Sequence, residues 1–155
     1  MGFRLFPWQK PKEFFTPEEK ECVIQTIRDA EQRTSGEIRV FVESRCRFVD
    51  AVDRAKELFF MLEMEHTELR NGTLVYVAVK DKQAAIFGDE GIHQKVGTTF
   101  WNDEVKQMIS AFNKHDYALG LKQCIADVGN ALHIHFPYDH KTDKNELPDQ
   151  ILFGR

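Results

Sequence analysis

The chain is poor in cysteine and proline, carries no long apolar run and shows no excess of positive charge. Its three cysteines, Cys22, Cys46 and Cys124, are odd in number and far apart in 155 residues, which fits neither a disulfide ladder nor a zinc-ligand spacing. Such usage predicts free thiols in a reducing cytoplasm. No stretch reaches the roughly 18 apolar residues that a membrane-spanning helix needs. The opening Met1-Gly2-Phe3-Arg4-Leu5-Phe6-Pro7-Trp8 has no apolar core or small-residue cleavage site of a signal peptide, and Phe6 stands where a myristoylation motif wants Ser or Thr. A cytoplasmic protein without a membrane partner is expected. The 21 Lys and Arg against 25 Asp and Glu leave a net charge of −4, so the long-range attraction that drives binding to phosphate backbones is missing and no nucleic-acid partner is expected.

Catalytic signatures are absent too. There is no G-x-x-x-x-G-K-[ST] cradle, no G-x-G-x-x-G after a strand, no G-x-S-x-G elbow and no H-E-x-x-H helix, which argues against a nucleotide-driven or triad enzyme. His133 and His135 are two apart, so a helix points them to different faces and they read as structural rather than as a metal pair. Cys46 lies between Arg45 and Arg47, whose charge favours thiolate. With no base to place beside it, it reads as silent.

What is present is ordinary globular material for one domain, with 13 phenylalanines as the unusual entry. Phe15-Thr16-Pro17-Glu18-Glu19 predicts a helix start, with a Thr cap, a Pro in the first turn and a Glu to close a capping box. Val23, Ile24, Ile27 and Ala30 continue it to Thr34-Ser35-Gly36. Glu37–Glu43 alternates Ile38, Val40 and Val42 against Arg39 and Phe41 as a strand. A helix capped by Asp50 follows, with Val52, Ala55, Leu58, Phe59 and Leu62 on its stripe, to about Met64. The turn Arg70-Asn71-Gly72 opens an apolar run, Thr73 to Val79, that suits a central strand covered on both faces. The link Lys80–Gln83 and strand Ala84–Phe87 complete a hairpin, while strand, helix and strand before it form a parallel βαβ unit. Trp101, Val105, Met108, Ile109 and Phe112 define a further helix, with Thr98, Thr99 or Asn102 as its cap. Leu121, Ile125, Val128, Leu132 and Phe136 define the last, ending at Pro137.

This order predicts an α/β fold, a three-layer α/β/α sandwich around a small mixed sheet, Rossmann-like in character. The chain divides into an arm (1–15), the domain (16–137) and a tail (138–155) in which Ile151, Leu152 and Phe153 dock on the body. Phe41, Phe59, Phe60, Phe87, Phe112 and Phe136 fall in regular elements. Phe3, Phe6, Phe14, Phe15 and Phe153 lie in the arms, which predicts that the arms fold back or bind something.

Oxygen-bearing side chains collect at loop ends: Glu37, Asn71, Asp89, Glu90, Asn102, Asp103 and Glu104. A hairpin places Asp89 beside Asn71, a parallel pair brings Glu37 to the same end, and the loop after Asp89 leads to Asp103 and Glu104. Hard oxygens converging on one edge suit Ca²⁺ or Mg²⁺. A plainer reading stands beside it: Asp103 and Glu104 complement a helix dipole, and Asn71 and Asp89 make turns. The opposite end, beyond the carboxyl termini of the parallel strands, is the usual ligand location on open α/β sheets and offers Glu43, Ser44 and Arg45.

Three motifs, Thr34-Ser35-Gly36-Glu37-Ile38-Arg39-Val40, Arg70-Asn71-Gly72-Thr73-Leu74-Val75-Tyr76-Val77-Ala78 and Ile86-Phe87-Gly88-Asp89-Glu90-Gly91-Ile92, resemble in order and spacing the TPM domain family. His135-Phe136-Pro137 and Asn145-Glu146-Leu147-Pro148 resemble its small soluble bacterial branch. The resemblance implies an α/β/α sandwich, a Ca²⁺ or Mg²⁺ site in some members and acid phosphatase activity in plant thylakoid-lumen relatives linked to photosystem repair. The anchors and targeting segments of those relatives are not expected in this chain. Two functions follow. One is a divalent-cation-binding domain with weak metal-assisted phosphatase activity, its metal held among Glu37, Asn71, Asp89, Asp103 and Glu104, with Asp89 or Asp103 orienting a water. The other is a non-catalytic module binding a protein or peptide through aromatics around Phe100, Trp101 and Tyr117. A monomer is expected.

Overall fold

Thr16 and Glu19 close the expected capping box: the Glu19 amide donates to Thr16 Oγ1 at 3.0 Å, and the Thr16 amide donates to Glu19 Oε1 at 2.8 Å. Helix α1 (Pro17–Glu31) starts there. A computed structural model describes residues 15–46, 49–138 and 151–154. The following elements are β1 (Glu37–Glu43), α2 (Ala51–Met61), β2 (Gly72–Ala78), β3 (Gln83–Gly88), α3 (Glu90–Asn113), α4 (Tyr117–His135) and β4 (Ile151–Phe153).

The strands form one mixed sheet in the order β3-β2-β1-β4. β1 and β2 run parallel with Ile38 opposite Thr73 and Val40 opposite Val75; β2 and β3 are antiparallel with Thr73 opposite Gly88. Alternation along the strands then sorts side chains into two cores. Ile38, Val40, Val42, Val75 and Val77 pack with the buried residues of α1, α3 and α4 on one face. Phe41, Leu74, Tyr76 and Ala85 pack with Ala55, Leu58 and Phe59 of α2 on the other. Three helices on one side and one on the other make the three-layer sandwich that the element order predicts.

Several expectations need correction. Helix α2 ends at Met61, three residues before Met64, because the chain turns through Glu63 at a positive φ of 58°. Val52 points to solvent rather than along the buried stripe. An additional helical segment opens at Glu90, capped by the Asp89 side chain, and α3 is two segments divided at Gly97, the second starting just beyond Gly97 where Thr98 and Thr99 were expected to cap it. The apolar stripe of its second half is offset from the first because Gly97 breaks the helix with φ 79° and ψ 171°, a conformation essentially confined to glycine. Trp101 is buried, and Phe100 and Tyr117 pack partly buried against the main core, so the expected aromatic docking surface is core material. Ile151–Phe153 does more than dock: it adds β4 parallel to β1. Phe15 and Phe153 pack on the main core, whereas Phe3, Phe6, Phe14 and Asn145–Pro148 lie outside the described residues. Among those described, no helix is long and apolar enough to cross a membrane.

Candidate functional site

The site grows from one transverse row of the sheet, Ile38, Thr73 and Gly88. Thr73 shares strand parity with Val75 and Val77 and so faces the three-helix layer. At one end of the row Gly129 of α4 comes so close that a β-carbon there would stand 2.6 Å from Ala30 Cβ and 4.0 Å from Ile38 Cδ1. At the other end Trp101 of α3 lies on Gly88, where a β-carbon would meet the indole at 2.3 Å. Thr73 therefore sits beneath the seam between α3 and α4.

In that seam the buried Glu104 of α3 bonds Asp127 of α4. Burial foremost, then the Asp127 hydrogen bond and charge, and finally the charge of Asp103, push the Glu104 carboxyl up to about 8. Burial likewise pushes the Cys124 thiol up, helped by Glu104 and Asp127. The buried oxygens that accept no hydrogen bond include Asn71 Oδ1, Thr73 Oγ1 and Glu104 Oε1. Asn71 precedes Thr73 by two residues, and its Nδ2 donates to Ser35 Oγ at 3.2 Å. Neighbouring Gly36 is tucked under Leu132 of α4, with a β-carbon position 2.7 Å from Leu132 Cδ2 and 3.2 Å from the Asn71 carbonyl.

The expected ligand residues are thus divided. Asn71 and Glu104 lie on the seam side, and the exposed Asp103 adjoins Glu104 at its rim. Asp89 is engaged elsewhere: Arg70 donates Nε to Oδ2 at 2.7 Å and Nη2 to Oδ1 at 2.9 Å, and Oδ1 also accepts the Glu90 amide at 2.8 Å. Exposed Glu90 lies 3.4 Å from the same guanidinium. Glu37 alternates with Ile38 and so faces the α2 side of the sheet, where it acts electrostatically on buried Arg39. Thr73 and Asp127 escaped the sequence reading. Among the described residues no three His, Cys, Asp or Glu side chains cluster as metal ligands, so a cation in the seam would need the neutral oxygens of Asn71 and Thr73 as well as carboxylates.

The alternative end of the sheet is filled by ion pairs. Glu43 is buried and accepts Arg54 Nε at 3.0 Å and Nη2 at 3.1 Å, together with the Tyr76 hydroxyl. Burial, then Glu43, drive the Tyr76 phenol up; the Glu43 bond raises Arg54. Arg45 pairs with Asp81 at 3.2 Å, Asp81 accepts the Cys46 amide at 2.8 Å, and Lys80 donates to the Ser44 carbonyl at 2.8 Å. Cys46 Sγ reaches the Val49 carbonyl at 3.2 Å, and His133 Nδ1 lies 2.9 Å from the Arg33 carbonyl.

A mixed four-stranded sheet flanked by three helices and one, with an oxygen-bearing seam at the amino end of its parallel pair, defines an α/β/α domain of distinctive layout. The chain belongs to the TPM domain family, whose profile matches residues 9–131. It resembles the NMR structure of the BA42 protein from the psychrophilic bacterium Bizionia argentinensis, at 41% identity over 94% of this chain and 99% of that one, with a TM-score of 0.84. The N-terminal domain of a P. gingivalis protein (16% identity, 82% of this chain and 83% of that one, TM-score 0.68) and that of the cg2496 protein from Corynebacterium glutamicum (13%, 89% and 80%, TM-score 0.55) share the fold. No curated protein matches the chain.

Proposed function

We propose that this domain binds one divalent cation, Ca²⁺ or Mg²⁺, in the seam between α3 and α4. Asn71 Oδ1, Thr73 Oγ1 and the carboxyl groups of Glu104 and Asp127 supply the ligands, with Asp103 at the rim. The observation that carries this reading is the set of three buried oxygens without donors. Each such group costs about 1–3 kcal/mol when left unmet, and three on one side of a sheet are what a hard cation would satisfy. A bound cation would polarise a phosphoryl oxygen. Asp103, exposed and adjacent to Glu104, is the chain's own group for orienting water, which makes weak phosphatase activity part of this reading. Asp89 is already committed to Arg70 and to the α3 amino terminus.

Titrating the protein with CaCl₂ or MgCl₂ is expected to give saturable amide shifts at Asn71, Thr73, Glu104 and Asp127. Flat shifts there defeat the binding reading. Phosphate release from a generic ester should require the cation and vanish in a folded Asp103→Ala protein that still binds it; release indifferent to chelation removes the catalytic half alone. The variant Thr73→Val separates structure from binding. Replacing an unmet buried hydroxyl with a methyl of the same shape is expected to stabilise the metal-free protein by about 1 kcal/mol, while cation affinity drops at least about tenfold. Urea titrations with and without cation check both halves.

A further inference from the structure

Strand β3 closes one margin of the sheet, and no described strand lies beyond it. The Asp89 amide donates to the Gly72 carbonyl at 2.9 Å. Bonded and non-bonded pairs alternate along an antiparallel ladder, and Leu74 stands opposite Phe87 and Tyr76 opposite Ala85. The main-chain groups of Ala85 and Phe87 therefore turn inward to β2, and those of Ala84, Ile86 and Gly88 turn outward. No described residue bonds these outward groups. Exposure follows the same alternation: Ala84 keeps 6% of its surface and Ile86 9%, whereas Ala85 between them keeps 1%. The side chains of Ala84 and Ile86 lie in the main core, so what solvent reaches there is the edge of the strand. Such edges are ordinarily guarded by a charge, a proline or a bulge, and Gln83–Gly88 has none of these in an unbroken register. The charges stand just outside it and differ in sign. Exposed Lys80 and half-buried Lys82 precede the strand, and Glu90 follows it, its side chain 64% exposed with only a 3.4 Å contact to Arg70. The intervening Asp81 and Asp89 are held by Arg45 and Arg70. Half-exposed Phe60 meets Phe87 edge to face at 5.8 Å, which sets an apolar ring at the lip of the edge.

We propose that the open edge of β3 receives the same edge of a second copy of this chain, antiparallel about a twofold axis at Ile86, so that the two four-stranded sheets become one. An edge with a cation at one end and a carboxylate at the other is its own complement once it is turned round, as a twofold contact requires. An axis at Ile86 pairs this residue with its counterpart and Ala84 with Gly88 in both directions, and the main-chain groups of all of these face outward. The same axis brings Lys82 of each copy to Glu90 of the other. An axis at Ala85 would set Lys82 opposite Gly88 and leave it without an ionic partner, so charge selects the register. Main-chain bonds across a sheet edge are an established mode of strand addition, and here they meet groups that have no described partner within one chain. The contact does not depend on the cation.

Sedimentation of the full chain from about 10 µM to about 1 mM tests the proposal. The average mass is expected to climb from 18.1 kDa towards twice that value. Ala84→Pro removes an outward N–H and takes no bond from the hairpin, so the folded variant should remain single. Lys82→Glu sets like charges against each other at both ends of the contact and should raise the dissociation constant on the order of tenfold. Combining Lys82→Glu with Glu90→Lys restores opposite charges and should return it to within about threefold of the unaltered protein. A chain that stays single up to about 1 mM overturns the proposal. A dimer that is indifferent to Lys82→Glu, or that the double exchange fails to restore, forms through another surface and overturns it equally. Should Ala84→Pro fail to fold, the charge reversal and its rescue, both on surface side chains, decide by themselves.

Discussion

Exchanging Glu43 for alanine should lower the free energy of unfolding by about 3–5 kcal/mol, the range found when one partner of a buried ion pair is removed. The carboxylate closes β1 at its carboxyl end, buried beneath α2, and holds two groups from different elements: the Arg54 guanidinium at 3.0 and 3.1 Å, and the hydroxyl of fully buried Tyr76. Alanine leaves a buried phenol without its acceptor and a partly buried cation with only the more exposed Glu57. Tyr76→Phe removes a single hydrogen bond and keeps the ring in its core, so its cost should be about 1–2 kcal/mol. Urea unfolding at neutral pH measures both. A Glu43→Ala loss below about 1 kcal/mol would mean that water or a neighbouring group replaces the carboxylate, outside the usual behaviour of buried pairs.

The second large effect is a pH dependence written into the α3/α4 seam. Glu104 holds its proton up to about 8 in the folded protein against an ordinary value of 4.5. Between those two values the folded chain retains a proton that the unfolded chain has released, so this group's contribution declines as pH rises from 4.5 to about 8 and is level outside that window. Each pH unit in the window is worth at most about 1.4 kcal/mol. Asp127 and Asp103, the charges that oppose ionisation, are exposed, and solvent screening brings the total down to about 1–3 kcal/mol. Glu104→Gln keeps the shape and removes the titration. The difference in unfolding free energy between this variant and the unaltered protein should therefore widen in the variant's favour from pH 5 to pH 8 without added cation. A difference that stays constant across that interval would show that Glu104 ionises normally in the fold.

Much of the architecture is legible in the residues because local signals and tertiary packing agree. Thr16-Pro17-Glu18-Glu19 states its capping box outright, and the alternation of Ile38, Val40 and Val42 matches the face these residues bury. The apolar run after Asn71-Gly72 is apolar because helices cover both of its faces. The start of α3 was harder to read, since Gly97 breaks the periodicity and the strongest stripe begins only beyond it. Strand β4 is three residues long and exists through its pairing with β1, which no local propensity encodes. The site was half legible. Asn71 and Glu104 were within reach of a topological argument, and strand parity alone places Glu37 on the face opposite Thr73. Asp127 was not within reach, because its position on α4 reads as solvent-facing and its partner stands 23 residues earlier on another helix. Thr73 was concealed by its own chemistry: a β-branched residue in a strand draws no notice until its hydroxyl is found without a donor.

Trp101 gives the seam a built-in optical reporter. Its indole packs against Gly88, in the same transverse row as Thr73, and its N–H donates to His93 Nδ1 at 3.0 Å. Trp8 is the one other tryptophan. In a Trp8→Phe background the emission colour and lifetime of this single fluorophore would register a rearrangement at the roof of the seam in millisecond mixing experiments, with no dye attached and no residue of the seam altered.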